Sequence, residues 1–285
     1  MIKNIPDEIW AFDCEWVPDL QAGRLLYRLP DELPSHEVLR IMWEQGGATP
    51  ENPTPFLRTL LCRVVSIATV IRRTYKNGEV QLFLQALPEN PDDEAQDETY
   101  ILKRFLENGI AARNPQLVGF NSRNADIRIL TQRAIVKGLS LRGFCDRLDA
   151  KPWESSDVDL MEMVSGFGKN FAVSLNEIAT LSGIPGKLDT TGEDVCGLWH
   201  SGHRREIVQY NCFDALTTYL VWLRMAFFSG RLTEASYLVE QKRVRQLLEE
   251  RLQKPENAFL AKYLDAWRDL KTRTGQISDG VFPSE

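Results

Sequence analysis

The run Ile9-Trp10-Ala11-Phe12 is continuously apolar and passes directly into Asp13-Cys14-Glu15. An uninterrupted apolar stretch closed by acids reads as a strand buried on both faces that emerges at the edge of its sheet. Such a strand needs a layer on each side, so the chain is expected to build a sheet between helices.

The rest of the chain fits that demand. Val64-Val65-Ser66-Ile67-Ala68-Thr69-Val70-Ile71 and Glu79-Val80-Gln81-Leu82-Phe83-Leu84 are β-rich runs joined through Lys76-Asn77-Gly78. The Asn-Gly pair is a strong hairpin signal, which makes these runs antiparallel strands two and three. Between them and the first strand, Pro18 to Pro55 is rich in turn and breaker residues, with one predicted helix from His36 to Glu44. After the hairpin the acidic stretch Glu89 to Glu98 leads into a helix ending near Asn108-Gly109. A short strand is expected over Gln116 to Phe120, and a helix from Ala125 to Lys137 capped by Gly138. A further short strand is expected over Val158 to Val164. Ser174-Leu175-Asn176-Glu177 has the form of a capping box and opens a helix to Leu181, and a long helix runs from about His203 to Phe228. The order predicts an α/β fold: a mixed sheet of three antiparallel strands followed by βα units, flanked by helices.

At 285 residues the chain exceeds a usual domain length of roughly 100 to 200 residues, yet no change of composition divides it. It reads as one domain over 1–228 with an insertion at about 18–60, and a C-terminal helical extension over 229–285. In that extension Phe259, Leu260, Tyr263, Leu264, Trp267 and Leu270 form a helical stripe suited to packing on the domain, with a homodimer through these helices as the alternative.

The five cysteines are scattered and never paired as CxxC, which fits a reducing cytoplasm better than a disulfide framework or a zinc knuckle. The N-terminus lacks the apolar segment of a signal peptide, and no apolar run reaches the ~18 residues of a membrane span. A net charge of −6 argues mildly against a protein that coats nucleic acid, but not against an enzyme gripping one strand end. From Arg123 to Lys151 the chain holds Arg123, Arg128, Arg133, Lys137, Arg142, Arg147 and Lys151 against three Asp, as either a solvated helix face or a strand-binding surface.

Asp13 and Glu15, two apart on a strand, leave the same face. Adjacent carboxylates repel unless a cation sits between them, and hard oxygen ligands of this kind favour Mg²⁺ or Mn²⁺. Asp92-Asp93-Glu94 has the same spacing, but only the first pair follows a buried apolar strand. Tyr210 and Asp214, four apart, share one face of the long helix. Asp126 stands where a strand passes into a helix, a position that the helix dipole alone could explain. Together, a strand end, a helix start and a helix middle could bring four acids to one point.

Phe12-Asp13-Cys14-Glu15, Gly119-Phe120-Asn121 with Asp126, and Tyr210-Asn211-Cys212-Phe213-Asp214 resemble the three successive motifs of the DEDD exonucleases, in the branch with tyrosine in the third motif. Gln209 stands where the other branch has histidine. More closely, the chain is similar to predicted exonucleases related to the proofreading domain of family B DNA polymerases. Trp16-Val17-Pro18-Asp19, Arg63-Val64-Val65-Ser66-Ile67 and the segment from Ser174-Leu175-Asn176-Glu177 to Gly186-Lys187-Leu188-Asp189 carry that likeness, over about Ile9 to Phe228. The resemblance implies a ribonuclease H-like sheet and 3′-5′ hydrolysis of nucleic acid, DNA favoured, from a single-stranded 3′ end. Two Mg²⁺ or Mn²⁺ ions about 3.5 to 4 Å apart would be held by Asp13, Glu15, Asp126 and Asp214. Tyr210 would orient the attacking water, since an ordinary tyrosine, with a pKa of about 10, is a poor base. Asn121, Trp16 and Phe120 are candidate contacts to the terminal nucleotide. Ala125 departs from the aromatic residue that the family usually places before the second-motif acid; Asp159 is the reserve for Asp126. The competing readings are a nuclease-like module that binds single strands without cutting them, a structural or assembly protein, and a carboxylate-pair glycosidase. The last would need a separated acid and base.

Overall fold

The computed structural model describes residues 2–149, 156–166, 173–188 and 191–275; Lys151 and Asp189 lie outside the described residues. Strand β1 (Glu8–Pro18) is followed by helices α1 (Leu20–Tyr27) and α2 (Ser35–Gln45), then the hairpin β2 (Cys62–Thr74) and β3 (Val80–Leu87). Helix α3 (Glu98–Leu102) continues as wider π-type turns over Lys103–Ala111. Strand β4 (Gln116–Gly119), helices α4 (Asp126–Val136) and α5 (Arg142–Leu148), strand β5 (Val158–Asp159) and helices α6 (Leu160–Val164), α7 (Leu175–Leu181) and α8 (Val195–His200) come next. The chain closes with α9 (Arg204–Phe228), α10 (Glu234–Leu252) and α11 (Leu260–Thr274).

The five strands form one sheet in the order β3-β2-β1-β4-β5. The first three are antiparallel, while β4 and β5 run parallel to β1. This is the mixed, ribonuclease H-like arrangement expected from the sequence. Strand β1 is central and its side chains alternate between two cores. Ile9 and Ala11 join Ala68, Val70 and Leu84 beneath α9, α10 and α11, whereas Trp10, Phe12 and Cys14 join Ile67 and Ile71 against α3, its π-type extension, α4 and α5. Tyr263, Leu264 and Trp267 of the C-terminal stripe belong to the first core. Helix α10 is further tied to β2 by Glu240, whose Oε1 accepts from Arg72 Nη2 at 2.8 Å with both side chains buried. Among the described residues no helix is long and apolar enough to cross a membrane.

Several expectations change. Strand β1 does not end at Glu15: it runs on to Pro18 through an irregularity after Glu15, where β2 carries the additional residue Val65. The stretch after Pro18 contains a second helix, α1, started by the Asp19 carboxylate, which accepts from the amides of Gln21 and Ala22. Gly109 does not end the preceding helix; a Cβ there would meet the Trp10 ring at 2.7 Å, so the glycine serves close packing. The strand expected over Val158 to Val164 is only Val158–Asp159, because Asp159 caps the helix α6 that begins at Leu160.

The basic stretch is mostly neither a solvated face nor a free surface. Arg133 is buried, its Nε 2.7 Å from Glu98 and its Nη2 2.6 Å from Asp19. Arg123 pairs with Glu162 at 2.9 Å, Lys137 with Glu98 at 3.3 Å and Arg147 with Asp157 at 2.6 Å, Arg147 also donating to the Pro115 carbonyl. Arg133 thus ties α4 to α3 and to the cap of α1, Arg123 ties the β4–α4 turn to α6, and Arg147 ties α5 to the segments entering β4 and β5; Arg128 and Arg142 are exposed.

Candidate active site

The site arises where β1 loses a neighbour. Strand β4 pairs with β1 only from Ile9 to Ala11, so one edge of β1 is free from Phe12 onward. Gly119 ends β4 in a tight turn, where a Cβ would lie 2.3 Å from that of Ser122. The turn bends away through Asn121, whose φ of 59° is left-handed, a conformation that asparagine tolerates better than most residues. Helix α4 then starts beside the free edge, and Asp126 in its first turn accepts the Cys14 amide at 3.0 Å. The carboxylate thus takes a backbone donor that a longer β4 would have paired.

Asp13 and Glu15 project from β1 toward α9, where they meet Asp214. One carboxylate oxygen from each of these three lies within 4.8 Å of the others. Asp126 is not in that triplet; its bond to the Cys14 amide, between Asp13 and Glu15, holds it beside the same stretch of β1, and its charge adds to those that raise Asp13. Tyr210, one turn before Asp214 on α9, is buried against Val17, Val65 and Ile207, and its hydroxyl and the Asp214 carboxyl influence each other's protonation.

Electrostatics describe a cluster short of positive charge. Burial, then the charges of Asp126, Glu15 and Asp214, push Asp13 well above the usual carboxylate range, and Glu15 is raised by burial and by Asp214 and Asp126. Asp126 is pushed up to about 7, chiefly by burial against the opposing pull of its backbone hydrogen bonds. Asp214 is pushed up to about 6 by burial, offset in part by Tyr210 and the nearby Lys187. Burial and the neighbouring acids raise the Tyr210 hydroxyl, so it stays a donor. Acids this crowded cannot all ionise without added cations, and carboxylate oxygens are the donor set that Mg²⁺ and Mn²⁺ prefer. The residues therefore fit divalent ions.

The other expected residues are placed as follows. Phe120 packs against the core on the α9 side. Asn121 is half-buried; its amide donates to Asp159 Oδ1 at 3.0 Å and its side chain accepts from Asn124. Trp16 is not brought to the acids: its ring packs with the core on the opposite face of β1. Asp159, the reserve acid, is occupied by the amides of Asn121, Arg123, Met161 and Glu162 and holds the β4–α4 turn in place. Two contributors escaped sequence reasoning. Asn211, without exposure, donates from Nδ2 to Asp13 Oδ2 at 2.7 Å, and Lys187 is the cation acting on Asp214. Both lie in segments recognised from sequence, yet their placement depends on long-range packing.

The protein is thus an α/β module whose mixed sheet carries a buried acid cluster in the carboxyl-terminal half of its central strand. Residues 54–267 match the family described as predicted 3′-5′ exonuclease related to the exonuclease domain of PolB, and the chain belongs to that family. The matched span includes Asp126, Tyr210 and Asp214 and runs through α10 into α11. Asp13 and Glu15 precede it and are joined to it by the hydrogen bonds from Cys14 to Asp126 and from Asn211 to Asp13. Among solved structures, the chain is similar to the family B DNA polymerase from the hyperthermophilic archaeon Pyrobaculum calidifontis, with 16% identity and a TM-score of 0.47. That likeness covers 99% of this chain and 31% of the polymerase chain. No curated protein matches the sequence.

Proposed function

We propose that the protein hydrolyses phosphodiester bonds at the 3′ end of single-stranded nucleic acid, DNA in preference to RNA, releasing nucleoside monophosphates with the help of two divalent ions. The observation that carries this reading is the convergence of Asp13, Glu15 and Asp214 within 4.8 Å, with Asp126 fastened to the same strand. Bound Mg²⁺ or Mn²⁺ would supply the activation of water and the neutralisation of developing negative charge that in-line phosphoryl chemistry needs.

The protein's own groups do the rest. Asp13, Glu15 and Asp214 would hold the ions, with Asp126 contributing from the start of α4. The Tyr210 hydroxyl, kept protonated by burial and by the neighbouring acids, orients the attacking water rather than removing its proton. Lys187 contributes positive charge beside Asp214, where a scissile phosphate would need it. Asn121 and Phe120, in the turn that leads from β4 to Asp126, would contact the terminal nucleotide. The five free thiols suit a reducing compartment such as the cytoplasm.

The test is incubation of 5′-labelled single-stranded DNA with the protein and Mn²⁺, resolved by electrophoresis. The expected result is a ladder shortening from the 3′ end and loss of that ladder with EDTA. Retained binding without shortening would favour the non-cutting module instead.

A further inference from the structure

Two uncharged polar residues sit without exposure in the apolar interior beside the acid cluster, Ser66 on β2 and Asn211 on α9. Burying an amide or hydroxyl is costly unless its hydrogen bonds are made. Here the bonds run in one direction. Ser66 Oγ donates to Asn211 Oδ1 at 2.9 Å, and Asn211 Nδ2 donates to Asp13 Oδ2 at 2.7 Å. Ser66 is the β2 partner of Glu15, at the last regular pair before the ladder becomes irregular, so the chain of bonds begins where β1 and β2 change register.

We infer that Ser66 and Asn211 form a positioning relay that holds the Asp13 carboxylate by one oxygen and leaves its other oxygen to the cation. The amide has two orientations, and only one suits an ionised Asp13, with the NH₂ toward the carboxylate. The Ser66 hydroxyl, donating to the amide oxygen, stabilises that orientation from behind. A carboxylate with one oxygen engaged is restrained from rotating about its terminal bond, so its free oxygen returns to the same place after each loss of an ion. The relay also links β1, β2 and α9, the elements that carry or border Asp13, Glu15 and Asp214. This inference rests on the proposed metal site.

The test is calorimetric titration of Mn²⁺ into the full chain, together with thermal melting of the metal-free protein. Asn211→Leu keeps the volume and removes the donor; Ser66→Ala removes only the support; Ser66→Thr retains the hydroxyl. Residues that orient metal ligands typically change affinity by about 10 to 100-fold when lost. A loss of that size is expected for Asn211→Leu, with a smaller loss for Ser66→Ala and near wild-type binding for Ser66→Thr. A purely structural role would lower the melting temperature of the metal-free protein and leave Mn²⁺ affinity unchanged. Wild-type affinity in folded Asn211→Leu or, should that variant not fold, in Ser66→Ala overturns the relay. If in addition Asp13→Asn abolishes binding, the metal site survives that result and only the relay falls. If wild-type protein binds no Mn²⁺, the metal site itself is refuted and the relay with it.

Discussion

The Cys14 amide donates to the Asp126 carboxylate at 3.0 Å across 112 residues of chain, and this bond fastens the start of α4 to the strand bearing Asp13 and Glu15. The two substitutions of Asp126 should therefore behave differently. Asp126→Asn keeps an oxygen that can accept from Cys14 but loses the charge; it should cost on the order of 10²-fold or more in turnover with little change in stability. Asp126→Ala also strands a buried N–H, which adds a destabilisation of about 1 to 3 kcal/mol. Nuclease assays paired with urea unfolding separate the two effects.

Tyr210→Phe removes one hydroxyl and leaves the ring in its pocket between Val17 and Ile207. Turnover should fall by about 10²-fold, while Mn²⁺ affinity stays close to that of the unmodified protein. Single-turnover rates and calorimetry together check this. Equal losses in both would mean that Tyr210 supports the ions rather than the water.

The acid cluster makes stability depend on pH in a defined direction. Asp214 at about 6 and Asp126 at about 7 are raised from an ordinary 3.8, so the metal-free fold retains protons that the unfolded chain has released. Their stabilising effect is complete below pH 3.8 and is lost as pH rises through 6 and 7. With EDTA present, melting temperature should decline from pH 5 to pH 8, and the increment produced by Mn²⁺ should grow over the same interval because ions and protons compete. A Mn²⁺ increment independent of pH would count against the cluster as the binding site. Asp13→Asn should flatten the decline.

Glu240 joins α10 to the sheet through Arg72, and Arg243 also reaches it at 3.0 Å. Glu240→Ala leaves the buried Arg72 guanidinium without its carboxylate. Breaking a buried pair from one side costs about 3 to 5 kcal/mol. Chemical denaturation should report a loss of that size, which makes the C-terminal helices part of the stability of the sheet. A change under 1 kcal/mol, well below that range, would show that the helices pack independently of this pair.

Much of the fold was legible because its signals are local. The apolar run before Asp13, the Asn77-Gly78 turn and the Ser174 to Glu177 capping box each act within a few residues, and each appears where expected. Breaker residues hid α1, although Asp19 carried its cap. Gly109 was misread as a stop because glycine marks helix ends and close packing alike, and only the contact with Trp10 distinguishes them. In the site, the spacing of Asp13 with Glu15 and of Tyr210 with Asp214 was readable from strand and helix periodicity. Asn211 was not, because its role exists only once β1, β2 and α9 are assembled.

On the proposed function, Asp13, Glu15 and Asp214 hold the ions that support removal of 3′-terminal nucleotides. The most direct test compares Mn²⁺-dependent shortening of a 5′-labelled single strand by the unmodified protein and by Asp13→Asn. The substitution is nearly isosteric and should leave the fold intact by circular dichroism. The unmodified protein should remove 3′ nucleotides stepwise, and the variant should be slower by about 10²- to 10³-fold, on the order expected for losing a group central to the chemistry. Undiminished shortening by folded Asp13→Asn would contradict the proposed function.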